Sequence, residues 1–504
     1  MSLRCALVLA AACGAPLVRG QSRPRTLLPT DRRLIARELT AWSDHRQRRI
    51  LPALMEQYNV SVWVVASHEY NEDPAFWAIW PGIGLRNCTD PAAWVDDPGE
   101  ACLNDQYNAD QVTVFLYNAT TRLLERRVTR DWQEVADWSR AALRGAPPGP
   151  RLVVDNGATR FQGLLAGSFR ALRDALGGSF LATYAYDPYA TGAAGVPHPL
   201  PWEFIELRVP PEADATMLLR YKQLQETSRA AQRFGLSSTS IRPGITTTED
   251  LNFLLVNLAE RELDLRITSS PAVSLFRRGA GWLSGPGAVI REGDMLRSDW
   301  GLKGFGDALW SDNTMLGFVG ASPDAELLAG LAKANRLQGF WLAACESCVT
   351  SGCTGPEWVG EIASLAAAAN WTLGDEGCGS GGEPRCDGAI FSHPIGDFMH
   401  STGPYIESAG GSYGRRRRQR RALLGGAPPP TEGSDWRALR LRRNSWFSME
   451  LAAYGPWGES WAEFNLEQQV HVTSAGRCEP LVPLQREFLL VAPERKGTAE
   501  PVVV

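Results

Sequence analysis

Ile290-Arg-Glu-Gly-Asp-Met-Leu-Arg-Ser-Asp299-Trp-Gly-Leu-Lys-Gly304-Phe305-Gly306-Asp-Ala-Leu-Trp-Ser-Asp312-Asn-Thr314 reads as two strands joined by a glycine-rich turn. With Phe305-Gly306 as a two-residue loop, Asp299 lies opposite Asp312, on one face, with Cβ atoms about 5 Å apart. Like charges that close repel strongly unless a cation or a proton lies between them. A second pair of segments repeats the relation: Ser448-Met-Glu450-Leu and Phe464-Asn-Leu-Glu467-Gln-Gln-Val-His-Val-Thr473 face each other across a turn at Gly458-Glu459, which sets Glu450 opposite Glu467. Phe391-Ser-His393-Pro-Ile-Gly396 and His400-Ser-Thr-Gly403 add one or two imidazoles. Any one of these side chains alone would more often be a surface carboxylate or a satisfied polar histidine. Together, four carboxylates and histidine suit a pair of borderline or hard divalent ions, Mn, Co, Fe or Zn, rather than a thiolate site.

The rest of the chain is large enough to carry such a site. Its 504 residues favour two or three domains, and 44% hydrophobic residues with 18 Trp exclude a disordered chain. Lys and Arg total 51 against 56 Asp and Glu, a net charge of -5, so there is no global electrostatic case for nucleic acid or an anionic membrane. No segment after the N-terminus has the length and purity of a membrane span.

Residues 1–20 combine Arg4, an apolar run from Cys5 to Val18 and a small residue at Gly20, which reads as a secretory signal peptide. The run is too short, and too interrupted by Pro16, to serve as a spanning anchor. Its removal leaves Cys88, Cys102, Cys345, Cys348, Cys353, Cys378, Cys386 and Cys478, an even set that predicts disulfides in an oxidising compartment. Cys88 with Cys102 closes a short loop; the other six cannot be paired from sequence. Cys345-x2-Cys348 has half the spacing of a zinc or redox motif, but no second pair matches it. Sequons at Asn59, Asn87, Asn118 and Asn370 point the same way, to a glycoprotein that is extracellular or lumenal.

Residues 21–31 read as a linker. From Arg32 to about Tyr58 a charged periodic segment predicts a helix, followed by a strand at Val60–Ala66. Strands at Val112–Tyr117 and Arg151–Asp155 alternate with helices at Arg130–Arg144 and Phe161–Leu176, an α/β pattern. Pro210-Pro211 breaks the chain, so an N-terminal domain over 32–210 precedes a second domain over 211–491 and a tail over 492–504. In the second domain a helix runs from about Ala213 to Phe234. Thr246 and Glu249 predict a capping box for a helix reaching Leu263, and two more helices fall near 322–345 and 355–370. Residues 410–443, with Arg415-Arg-Arg-Arg-Gln-Arg-Arg421 and Gly425-Gly-Ala-Pro-Pro-Pro430, cannot bury a core and read as a solvated insertion. The same arginine run also suits a dibasic-directed processing protease.

The ordered set Asp299, Asp312, His393, Glu450, Glu467 resembles the ligand pattern of the pita-bread metallopeptidases, the family of methionine aminopeptidase, prolidase and Xaa-Pro aminopeptidase, to which creatinase is related. Leu51-Pro-Ala-Leu-Met55, His68-Glu-Tyr-Asn-Glu-Asp-Pro74, Ile241-Arg-Pro-Gly-Ile-Thr-Thr247, His393-Pro-Ile-Gly396 and Glu479-Pro-Leu-Val-Pro-Leu-Gln485 extend the likeness over roughly 32–491, to the Xaa-Pro peptidase-like branch. The resemblance implies a creatinase-like α/β N-terminal domain and an α+β pita-bread catalytic domain. It implies two divalent ions (Mn, Zn or Co): Asp299 on one, Asp312 and Glu467 bridging, His393 and Glu450 on the other. Glu450 would be the general base and His400 would stabilise the oxyanion. A short peptide substrate with proline second, and a homodimer, are further implications of the family.

Three features depart from that pattern. No histidine lies between His198 and His393, where the family commonly carries one that holds the substrate; Ser269–Trp282 offers Ser, Arg and Trp instead. The step from Asp299 to Asp312 is two residues longer than usual, and His400-Ser-Thr-Gly403 replaces a stretch richer in Gly and His. Three functions follow: a secreted dinuclear exopeptidase, a catalytically impaired pseudo-peptidase serving as a binding scaffold, and a metal-poor creatinase-like C–N hydrolase.

Overall fold

The computed structural model describes residues 23–67, 74–79, 111–154, 166–185, 198–283, 287–374, 386–396, 406–407 and 439–492. The leader at 1–20, the Cys88–Cys102 loop, the His68 run, the Asn87 sequon, His400, the Arg415–Arg421 run and the tail beyond 492 lie outside the described residues.

The chain enters through α1 (Arg32–His45), whose N-terminus is capped by Asp31, the side chain accepting from Arg33 and Leu34 amides. Its apolar stripe, Ile35, Leu39 and Trp42, recurs at i, i+4 and i+7 and is buried. A π-helical turn (Arg46–Ile50) leads directly into a further helical segment, Leu51–Gln57, so the predicted continuous helix is present with one widened turn. Strand β1 (Val62–Ser67) is buried throughout and lies inside a four-stranded sheet of order β3-β2-β1-β4, with β2 at Gln111–Asn118, β3 at Leu123–Thr129 and β4 at Leu152–Val154. Its alternating side chains feed two cores. Trp63 and Val65 pack with Phe115, Trp202 and Phe204, while Val62, Val64 and Ala66 pack with Val135, Leu172 and Leu176 from the helices opposite. The β1–β4 pairing is parallel, as the strand–helix alternation predicts.

Beyond Pro210-Pro211, α2 (Thr216–Gly235) and α3 (Thr248–Asn257) cover part of a larger sheet. That sheet runs β10-β9-β11-β12-β8-β7-β5-β6, with β13 beside β12 and β14 beside β8. Its strands are β5 (Arg266–Arg277), β6 (Gly281–Leu283), β7 (Met295–Gly304), β8 (Leu309–Phe318), β9 (Gly388–Pro394), β10 (Ile406–Glu407), β11 (Ser445–Trp457), β12 (Ser460–Val472), β13 (Cys478–Pro480) and β14 (Leu489–Leu490). All its pairings except β14–β8 are antiparallel. Two further helices, α4 (Ala325–Ser351) and α5 (Gly355–Ala368), pack Leu331, Trp341, Trp358 and Ile362 against Phe447, Leu451, Phe464 and Leu466. The architecture, an α/β sheet layer followed by an α+β unit, is the one the resemblance implied. Leu28, Ile35, Leu39 and Trp42 join the core of the second sheet although they precede the first.

Three local expectations change. The capping box is Thr247 with Asp250, one residue later than expected, because Thr246 Oγ1 instead accepts from the Arg242 amide and closes the preceding turn. The β7–β8 connection has four residues, Phe305–Ala308, rather than two, since Gly304 pairs with Leu309. Phe305, Gly306 and Asp307 adopt φ of 56°, 67° and 66°, and Phe305 is held there by stacking on Trp42 at 5.1 Å. The helix expected near 322–345 continues to Ser351 and ends on Gly352, at φ 68°. The cysteine ambiguity resolves into Cys345–Cys478 and Cys348–Cys353, with Cys386 also disulfide-bonded, so the Cys345-x2-Cys348 spacing belongs to disulfides.

Candidate metal centre

One row of residues crosses five strands of the larger sheet. Ala272 on β5 pairs with Asp299, Asp299 with Thr314, Thr314 with Glu467, and Glu467 with Glu450. Directly paired residues share a face, and so do residues two apart on a strand. Asp312, two before Thr314, therefore joins the row, as does His393, which pairs with Ser448 two before Glu450. All five residues expected as ligands lie on one face of one sheet.

Within that set, ligand atoms of Asp312, His393 and Glu467 lie within 4.8 Å of one another, and all three side chains are buried. His393 Nε2 is 3.4 Å from Glu467 Oε1. Ser448 Oγ donates to Glu467 Oε1 at 2.7 Å and Thr314 Oγ1 donates to Glu467 Oε2 at 3.3 Å, so both carboxylate oxygens are held in place. Gln469 Nε2 donates to the Asp312 carbonyl. His393 Nδ1 lies 3.1 Å from the Pro394 carbonyl; a proton on Nδ1 satisfies that carbonyl and leaves the Nε2 lone pair facing the carboxylates. Ser392 Oγ donates to the Glu450 carbonyl and accepts from the Glu450 amide, both at 3.0 Å, which fixes the backbone that carries this acid.

Asp299 stands opposite Thr314 and not, as expected, opposite Asp312, because the longer loop shifts the register by two. A shift of two leaves every side chain on its original face. The two aspartates become diagonal neighbours, about 7–8 Å apart by Cα. The Glu450–Glu467 pairing and the turn at Gly458-Glu459 are as expected.

The electrostatics are those of a site lacking positive charge. Burial, and then the charge of Asp299, push Asp312 well above the ordinary carboxylate range. Burial, then Asp312 and Asp299, raise Glu467, against the lowering effect of Ser448 and Thr314. Burial and the other three acids raise Glu450, with Arg297 alone opposing. Arg297 itself is paired with Glu463, its Nη1 3.2 Å from Oε1. Cations placed among buried carboxylates this close offset their mutual repulsion and favour the ionised forms, and oxygen donors with one imidazole match Mn, Zn or Co. The residues present fit a divalent metal.

Sequence reasoning missed Thr314, Ser448, Ser392, Gln469 and Arg297. Four of these were within reach: Thr314 is two after Asp312, Ser448 two before Glu450, Gln469 two after Glu467 and Arg297 two before Asp299, the spacing that places neighbours on one face of a strand.

No family model matches the chain, and no curated protein does. Among solved structures, the chain is similar to the X-Pro aminopeptidase of Thermotoga maritima at 14% identity and TM-score 0.49, covering 86% of this chain and 98% of that one. Dipeptidase PepE from Mycobacterium ulcerans is similar at 14% identity and TM-score 0.49, covering 90% and 99%. E. coli aminopeptidase P, solved with the inhibitor Pro-Leu, is similar at 13% identity and TM-score 0.45, covering 88% and 94%. These are proteins of the group that the motif residues resemble.

Proposed function

We propose that this chain is a metal-dependent exopeptidase acting on short peptides, with a preference for proline in the second position. The observation that carries the reading is the convergence of Asp299, Asp312, His393, Glu450 and Glu467 on one face, three of them with ligand atoms inside 4.8 Å. Two divalent ions held there, Mn, Zn or Co, would supply Lewis acidity and a water of lowered pKa. The chain's own residues do the rest. Glu450, whose backbone is fixed by Ser392, takes the proton from the attacking water and passes it toward the leaving amine. His400 donates to the developing oxyanion. Thr314 and Ser448 hold Glu467 so that its two oxygens keep their directions as protons move.

The catalytic unit in this reading spans 211–491, behind a creatinase-like unit over 32–210, in a homodimer. Secretion after removal of 1–20 is supported by the disulfides and by the exposure of Asn59 and Asn370 at turns and of Asn118 at a strand end; no helix among the described residues is long and apolar enough to cross a membrane. Processing within Arg415–Arg421 belongs to the same route.

A second reading, a scaffold that retains the fold without turnover, is favoured by the missing histidine between His198 and His393. Xaa-Pro dipeptides and tripeptides assayed with Mn or Zn separate the two. Metal-dependent cleavage by wild type that Glu450→Gln lowers by about 10²–10⁴-fold supports the peptidase. Tight metal binding with no cleavage supports the scaffold, and failure to bind metal removes both in favour of a creatinase-like hydrolase.

A further inference from the structure

Arg208 is buried to 2% exposure at the point where the chain passes from one sheet to the other. Its guanidinium donates from Nη1 to the Ile205 carbonyl at 2.9 Å and from Nη2 to the Ile395 carbonyl at 3.1 Å, with Glu206 Oε2 3.8 Å away. One face lies over the Trp446 ring at 4.9 Å, and Trp446 in turn stacks on Tyr221 at 3.9 Å. The backbone repeats the connection: the Arg208 amide donates to Asn444, the Ile395 amide to Trp446, and the Trp310 amide to Gly396. A Cβ at Gly396 would overlap Arg208 Nη2, so the absence of a side chain at this position makes room for the guanidinium. Ile395 and Gly396 immediately follow His393-Pro394 at the end of β9.

We infer that Arg208 is a positioning residue for the metal centre: by tying the Ile395 carbonyl to the segment that leaves the first sheet, it holds the end of β9 so that His393 Nε2 stays within reach of Glu467 and Asp312. The planar guanidinium suits the task, since it donates in two fixed directions while its face rests on an indole. A burial this complete is also expensive for a charge unless carbonyls, a carboxylate and a ring are arranged around it, as they are here. The inference rests on the metal reading of the site and adds to it a residue far from the ligands in sequence.

Manganese alone is the probe, with calorimetry for affinity and plasma mass spectrometry for bound ions in the full chain. Wild type should take up two ions. Arg208→Met should weaken the ion that His393 helps to hold by about tenfold or more, the range seen when a ligand loses its orienting partner, and leave the other within about twofold. Arg208→Lys should recover part of the loss. Gly396→Ala, which crowds the guanidinium and also strains a backbone at φ 153°, should weaken the same ion with the arginine still present; its outcome keeps the inference falsifiable if Arg208→Met does not fold. Val65→Ala, which loosens the other sheet, should lower stability and keep both ions, so a general loss of stability cannot imitate the result. Two tight ions in Arg208→Met or in Gly396→Ala would overturn the positioning role alone. No manganese in wild type would overturn the metal reading and the inference with it.

Discussion

Strands β1 and β12 are both buried on two faces, but they bury different things. In β1, Val62, Val64 and Ala66 face one apolar core and Trp63 and Val65 the other. In β12, Phe464, Leu466 and Val470 face an apolar core, while Asn465, Glu467, Gln469 and His471 are equally buried on the opposite face. A period of two with polar residues on one side ordinarily places that side in water. Here it is closed off, so the polar face must be satisfied by hydrogen bonds, protons or cations. Both faces of β1 are stabilised by apolar burial, whereas the acid-bearing face of β12 is stable only to the extent that its charges are compensated.

The contrast can be broken most directly by truncation. Trp63→Ala in the first sheet should lower stability by about 3–5 kcal/mol, read from urea unfolding. Asp312→Asn, equally buried, should have the opposite sign in metal-free protein at pH 8, raising the midpoint because it removes a repelled charge. Next in size is the metal effect. Manganese at a hundred times its dissociation constant should stabilise wild type by about 2.7 kcal/mol and leave Asp312→Asn unchanged, measured by thermal melts with and without chelator.

The pH responses sharpen the comparison further. Asp312, Glu450 and Glu467 have folded pKa values raised above their unfolded ones, so their contribution is complete below the ordinary carboxylate range. It is lost as pH rises, because the unfolded chain releases its protons first. Chelated protein should therefore become less stable from pH 5 to 8, with hydrogen exchange in β11 and β12 rising. His198, beside the first sheet, responds the other way. Burial lowers it to about 4, so its contribution is present above 6.5 and is lost as pH falls toward 4. His198→Asn, which keeps an acceptor for the Leu200 amide, should flatten this smallest effect without changing the alkaline limb.

Much of the site was legible because facing depends on parity. Gly458, at φ 65°, makes the two-residue turn that sequence suggests, and the Glu450–Glu467 register follows. In β7–β8 the register was misjudged by two residues, yet the aspartates kept their face. The error came from Phe305, an aromatic residue in a left-handed conformation that no local preference predicts; Trp42, far away in the chain, stacks on it. The capping box was ambiguous for a similar reason. Three threonines in a row, Thr246 to Thr248, offer equivalent hydroxyls, and the bridge from Thr247 to Val289 selects among them.

What the amino-acid order determined by itself is the alternation along each strand and the common face of the two acids within each hairpin, because side-chain direction in a strand depends only on neighbours two residues away. What the tertiary structure alone decided is the meeting of the hairpins: the Thr314–Glu467 pairing that joins them, the Ser448–His393 pairing that brings in the imidazole, the Cys345–Cys478 disulfide, and the place of Arg208 behind β9. Those contacts close long loops, and their energy comes from cores assembled out of distant segments, so no local pattern in the chain encodes them.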